Sequence, residues 1–136
     1  MNSNSSKGEK SMKSGDGPEN AATYATAICC IDGRVQQPVA DFGRQHFGVR
    51  YVDMVTKPGP VANMSDEMNA YIKISIRAHQ SCGIVVSAHA DCAANPIDDD
   101  VHKEQCRNAA TLLRETWTEA KVVPVWVCLD SQVELL

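Results

Sequence analysis

No stretch of this 136-residue chain is both long and apolar, and none is densely basic. A membrane-spanning helix needs roughly 20 consecutive apolar residues, so no membrane partner is expected. The Lys and Arg residues are scattered and the formal net charge is −4, which leaves no basic stripe to track a phosphate backbone. Nucleic acid is therefore not an expected partner, and a small molecule is. The amino-terminal segment lacks the apolar core of a secretory signal. Six cysteines are present, but their irregular spacing does not resemble a secreted disulfide framework. Several fall inside apolar runs, as buried thiols do in a reducing compartment, and the expected location is the cytoplasm.

What is present divides into a polar tail and one domain. Residues 1–20 are rich in Ser, Asn, Lys and Gly without apolar periodicity. That composition buries too little surface to offset chain entropy, so a disordered tail is expected there. Residues 21–136 are read as a single domain. Four short apolar runs, at 24–31, 51–55, 83–88 and 122–129, alternate with amphipathic stretches. Runs apolar at nearly every position suit strands buried on both faces. The stretches between predict helices over 38–47, 65–80 and 98–119. The last opens with Asp98, Asp99 and Asp100, which favour a helix amino terminus, and carries a core stripe of Ala109, Leu112, Leu113 and Trp117. The expected fold class is α/β, a four-stranded, mainly parallel sheet flanked by helices.

Two motifs sit at strand ends on that frame. Cys30-Ile31-Asp32-Gly33-Arg34 closes the first run, and His89-Ala90-Asp91-Cys92 closes the third. In an open α/β sheet, ligands gather beyond the carboxyl ends of the strands, where the winding reverses. If the first and third strands are neighbours, Cys30, His89 and Cys92 converge. Two thiolates and one imidazole suit zinc, and three N/S ligands leave the fourth tetrahedral position for water, the mark of a catalytic site.

The chain resembles the β-class carbonic anhydrases, whose zinc is held by the Cys of a C-x-D-[S/A]-R motif and by the His and Cys of H-x-x-C. The likeness spans about residues 21–129 and extends to Tyr51–Gly59, which is similar to the second strand and following loop of that family. Asp91-Cys92-Ala93-Ala94-Asn95-Pro96 is similar to a compact branch with the same zinc motifs. The chain departs from the larger members at Gly33, where Ser or Ala is usual, and at Ala93-Ala94, where Gly is common. The resemblance implies reversible hydration of carbon dioxide to bicarbonate and a proton by a zinc-bound hydroxide. Zn2+ would be held by Cys30, His89 and Cys92. Asp32 would orient the nucleophile, and Arg34 would keep Asp32 off the metal; without that pair Asp32 could ligate the fourth position and close the site. Two thiolates also make the metal a weaker Lewis acid than three imidazoles would. A homodimer or higher homo-oligomer is implied as well. Two other readings keep the site: hydrolysis of carbonyl sulfide or carbon disulfide, and a non-catalytic zinc-binding module closed by Asp32.

The remaining polar residues have simpler expected roles. His46, His79 and His102 are candidate proton shuttles because imidazole titrates near neutrality, although His79 lies on an apolar helix face and His102 in an acidic first turn, which suggest a core and a surface residue. Cys29 should point away from Cys30 into the core. Cys82, Cys106 and Cys128 read as small hydrophobes, and Asp91 as a turn residue or an orienting partner of His89.

Overall fold

The computed structural model describes residues 22–136, and the expected tail over residues 1–20 lies outside the described residues. The elements alternate: β1 (Tyr24–Cys29), α1 (Gly33–Phe47), β2 (Tyr51–Thr56), α2 (Asp66–Ala78), β3 (Gly83–His89), α3 (Asp99–Thr116), β4 (Lys121–Val127) and β5 (Val133–Leu135), with a 3₁₀ turn at Pro60–Ala62. The sheet order is β2-β1-β3-β4-β5. The first four strands are parallel, and β5 pairs antiparallel with β4. The fifth strand is an addition to the four expected. Three residues are too few to carry a periodic signal, and a turn sets their register, with Ser131 at φ 71° and the Cys128 amide bonded to the Gln132 carbonyl.

Both faces of the sheet are covered, which is why its central strands read as unbroken apolar runs. Ala27, Cys29, Val85, Val125 and Val127 pack toward Val35 and Val39 of α1. Ile28, Ile84, Val86 and Ala88 face the opposite way, against Met68, Ile72 and Ile76 of α2 and Cys106, Ala109 and Leu113 of α3. Each fully buried Val, Ile or Leu in these layers contributes about 1.5–3 kcal/mol. One helix on one face and two on the other puts the reversal of winding between β1 and β3. That crevice is where Cys30 and His89 emerge.

Local chemistry shifts the helices from their expected positions. α1 starts five residues early, because the Asp32 carboxylate accepts from the Arg34 amide and caps the helix. Pro38 therefore lies inside α1, where it leaves the Arg34 carbonyl without its usual donor. On α3 the buried stripe runs His102, Cys106, Ala109, Ala110 and Leu113. His102 is thus buried, edge-on to Trp126 with ring centroids 5.4 Å apart, and not at the surface as expected. Leu112, expected in the core, falls outside that i, i+4, i+7, i+11 face and is exposed. His79 also departs from its expected core position: it caps α2 at the surface, stacked on Tyr24, with Nδ1 2.7 Å from the Asp53 carboxylate. Among the described residues, no helix is long and apolar enough to cross a membrane.

Candidate metal centre

Cys30 follows directly on β1, His89 ends β3, and Cys92 lies in the loop three residues later. Parallel pairing of β1 with β3 brings these segments together. One ligand atom from each of Cys30, His89 and Cys92 lies within 4.8 Å of the others, and all three residues are buried. The two sulfurs are 4.0 Å apart. A shared zinc, with bonds of about 2.3 Å at tetrahedral angles, asks for about 3.8 Å.

The histidine is the most informative member. Its Nδ1 is 2.8 Å from the Ala90 carbonyl, which can only accept, so Nδ1 carries the proton and Nε2 presents a lone pair. That Nε2 is buried and has no hydrogen-bond partner. An unpaired buried acceptor costs about 1–3 kcal/mol, and a metal ion removes the deficit. Burial raises the Cys92 thiol above its ordinary range, and the neighbouring Cys30 adds to the rise, while the Ala94 and Asn95 amides oppose it. Two buried, converging thiols with an imidazole lone pair fit a soft-to-borderline divalent cation such as zinc.

Asp32 and Arg34 stand beside this cluster. The guanidinium grips the carboxylate through Nε, 3.1 and 3.2 Å from its two oxygens, and Nη2 at 2.6 Å. These side-chain bonds, followed by the Arg34 amide, hold Asp32 well below the usual carboxylate range. Arg34 has a second anchor, Asp91, through Nη2 to the carbonyl at 3.0 Å and Nη1 to Oδ2 at 3.3 Å. Asp91 sits in the left-handed region at φ 58°, a conformation Asp tolerates better than most residues. It is a turn residue that engages Arg34, and the Ala90 carbonyl, not Asp91, orients His89. A narrow crevice lined by Arg34, Val35, His89, Ala90, Val127 and Cys128 adjoins the centre.

The candidate shuttle histidines lie elsewhere: His46 in the last turn of α1, at the opposite end from Asp32, His79 against Asp53, and His102 against Trp126. Cys29 points into the core, where burial pushes its thiol up to about 12. Cys106 is likewise buried and pushed up to about 12, whereas Cys82 and Cys128 are only partly buried. Four contributors are invisible to the motifs because their part is played by backbone: the Ala90 carbonyl and the Gly59, Ala94 and Asn95 amides. Gln36 also supports the site, donating to the Cys30 carbonyl at 2.6 Å.

Solved structures share this architecture. A carbonic anhydrase from Streptococcus mutans is 16% identical and superposes with a TM-score of 0.60, covering 85% of this chain and 84% of its own. One of two tetrameric β-carbonic anhydrases from the filamentous ascomycete Sordaria macrospora is 13% identical with a TM-score of 0.63, covering 85% and 81%. The apo form of a carbon disulfide hydrolase is 10% identical with a TM-score of 0.60, covering 84% and 79%. At these identities the likeness is one of fold, that of the β-carbonic anhydrases. No curated protein sequence matches the chain at a significant level. A family profile described as "Putative carbonic anhydrase" matches residues 20–136, most of the chain, and the chain belongs to that family.

Proposed function

We propose that residues 21–136 form a zinc domain that hydrates carbon dioxide reversibly to bicarbonate and a proton. The observation that carries this reading is the buried, unpartnered Nε2 of His89, set against the Cys30 and Cys92 sulfurs. Cys30, His89 and Cys92 are the residues to hold the ion. Zinc, when bound, acts as a Lewis acid that lowers the pKa of a coordinated water, supplying a nucleophile near neutral pH.

The chain's own groups then set direction. Asp32, kept ionised by Arg34, accepts a hydrogen bond from the attacking water and aims its lone pair at the carbon of carbon dioxide. Arg34, fixed from the other side by Asp91, keeps Asp32 from becoming a fourth ligand. The same pair permits a closed resting state if Arg34 lets go.

Assembly and location complete the proposal. Ile31, Ile97, Val101 and Leu129 are large, apolar and exposed on the loops and helix start beyond the carboxyl ends of the strands. Such a rim supports pairing of chains around the centre, as a homodimer or higher homo-oligomer. Six free cysteines suit a reducing compartment, and we place the protein in the cytoplasm. A second reading, hydrolysis of carbon disulfide or carbonyl sulfide, draws support from the fold shared with a carbon disulfide hydrolase.

Stopped-flow hydration by zinc-loaded protein, measured across pH beside a sulfide-release assay, tests both. Hydration without sulfide release supports the first reading and the reverse supports the second. Inactivity in both assays at alkaline pH, with zinc bound and the fold intact, overturns both in favour of a zinc-binding module.

A further inference from the structure

A site with two thiolate ligands carries an electrostatic handicap, because each sulfur donates charge and weakens the Lewis acidity of the ion it holds. The loop after β2 bears on that handicap. Its sequence is Lys57-Pro58-Gly59-Pro60, and neither proline has an N–H, so Gly59 carries the sole amide donor of residues 58–60. That buried amide points at Cys30, with the nitrogen 3.5 Å from Sγ.

The loop is built to hold it there. The Lys57 amide donates to the Cys29 carbonyl at 3.3 Å, the Ala62 amide to the Gly59 carbonyl at 3.2 Å, and Lys57 Nζ to the Asn63 carbonyl at 3.0 Å. Gly59 has φ +49°, where L side chains are strained. A Cβ there would stand 3.3 Å from Asn95 Cβ and 3.4 Å from Ala94 Cβ. Ala94 and Asn95 are the residues whose amides favour the Cys92 thiolate. The two loops that offer amides to the two sulfurs therefore pack on each other at Gly59.

We infer that the Gly59 amide is a tuning group of the metal centre, donating to the Cys30 sulfur and drawing charge from it so that the bound ion keeps its Lewis acidity. Hydrogen bonds to metal-bound sulfur act in this direction because they stabilise the lone pair that would otherwise be donated. The inference rests on the metal reading above and adds a residue that neither sequence motif contains. Gly59 touches no substrate; it is a positioning residue that acts through Cys30.

Two measurements test it. In protein loaded with 113Cd, the Gly59 amide proton should show scalar coupling to the metal through the hydrogen bond and Cys30 Sγ. In cobalt-loaded protein, semisynthetic replacement of the Gly59 N–H by an ester oxygen should move the thiolate-to-cobalt charge-transfer band to lower energy. Hydration by the zinc form of the ester variant should shift its pH profile to the alkaline side. Absence of the coupling, or an unmoved band in the ester variant, overturns the role of Gly59 while leaving the metal centre intact. Absence of any thiolate-to-cobalt band in the unmodified protein overturns the metal reading and this inference with it.

Discussion

The sulfurs of Cys30 and Cys92, from residues 62 apart in sequence, lie 4.0 Å from each other in the crevice between β1 and β3. A disulfide requires about 2.05 Å, so a modest side-chain rotation would join them once nothing lies between. Stripping metal with a chelator and adding diamide should therefore yield a Cys30–Cys92 disulfide, and zinc should prevent it. Cys29 and Cys106, pushed up to about 12, should stay reduced because the thiol and not the thiolate prevails there. Peptide mapping without reductant reads the outcome. A bridge that forms equally fast in zinc-loaded protein would contradict shared coordination.

The Asp32–Arg34 pair predicts a split between binding and turnover. Zinc-loaded Asp32→Asn should retain the metal, since Asp32 is outside the Cys30–His89–Cys92 cluster, and lose hydration by about 100-fold or more. Arg34→Ala should free Asp32 to ligate the metal, which would lower activity near neutral pH more than at alkaline pH. Asp91→Gly should have the smallest effect. It accepts the left-handed backbone and leaves the carbonyl contact to Arg34 available. Metal analysis beside the pH–rate profile separates these cases, and wild-type turnover in Asp32→Asn would remove the proposed role of the carboxylate.

A polar relay outside the candidate metal centre makes a separate prediction about stability. Ser75 donates to Asp53 at 2.7 Å, Ser81 donates to the Gly83 carbonyl at 3.0 Å, and Thr26 joins the two, 2.7 Å from Ser75 and 2.8 Å from Ser81. Thr26, Ser75 and Ser81 are all buried. Thr26→Val keeps the shape but strips the joining hydroxyl, so it should cost about 1–3 kcal/mol. Urea unfolding should show a lower midpoint at constant slope. No change in midpoint would mean that the relay is energetically idle.

The fold and the convergence of Cys30, His89 and Cys92 are legible in the sequence for the same physical reason. Strands buried on both faces, such as β3, must be apolar throughout, and two motifs at the ends of such strands can meet only at the reversal of winding. What was illegible depends on atoms that every residue type shares. The Ala90 carbonyl that sets the His89 tautomer and the Gly59 amide on Cys30 leave no trace in side-chain patterns. His102 and His79 depart from their expected places because an acidic first turn does not decide which face of α3 a residue occupies, and an apolar face does not decide where α2 ends. The α3 stripe admits a buried imidazole against Trp126, while at the α2 terminus the Asp53 carboxylate draws His79 to the surface. Asp32, a residue type that caps helices, is the local signal for the early start of α1, whereas the expected helix began only at residue 38.

Asp32 also predicts how stability responds to acid. Its folded pKa is lowered, first by the Arg34 side-chain hydrogen bonds and then by the Arg34 backbone amide, whereas in the unfolded chain it returns to about 3.9. Above that unfolded value the stabilisation is present in full. As pH falls below it the unfolded state takes up a proton that the folded state refuses, so stability declines toward the lower folded pKa. Asp32→Asn cannot titrate, and the wild-type advantage over it should shrink steadily as pH drops through the ordinary carboxylate range. Arg34 is 55% exposed, so added salt should narrow the gap as well. Denaturation of both proteins at matched pH steps, together with a 13C titration of the Asp32 carboxyl carbon, provides the check. A constant difference across pH, or a carboxyl carbon that titrates like a free aspartate, would show that Arg34 does not hold Asp32 in solution.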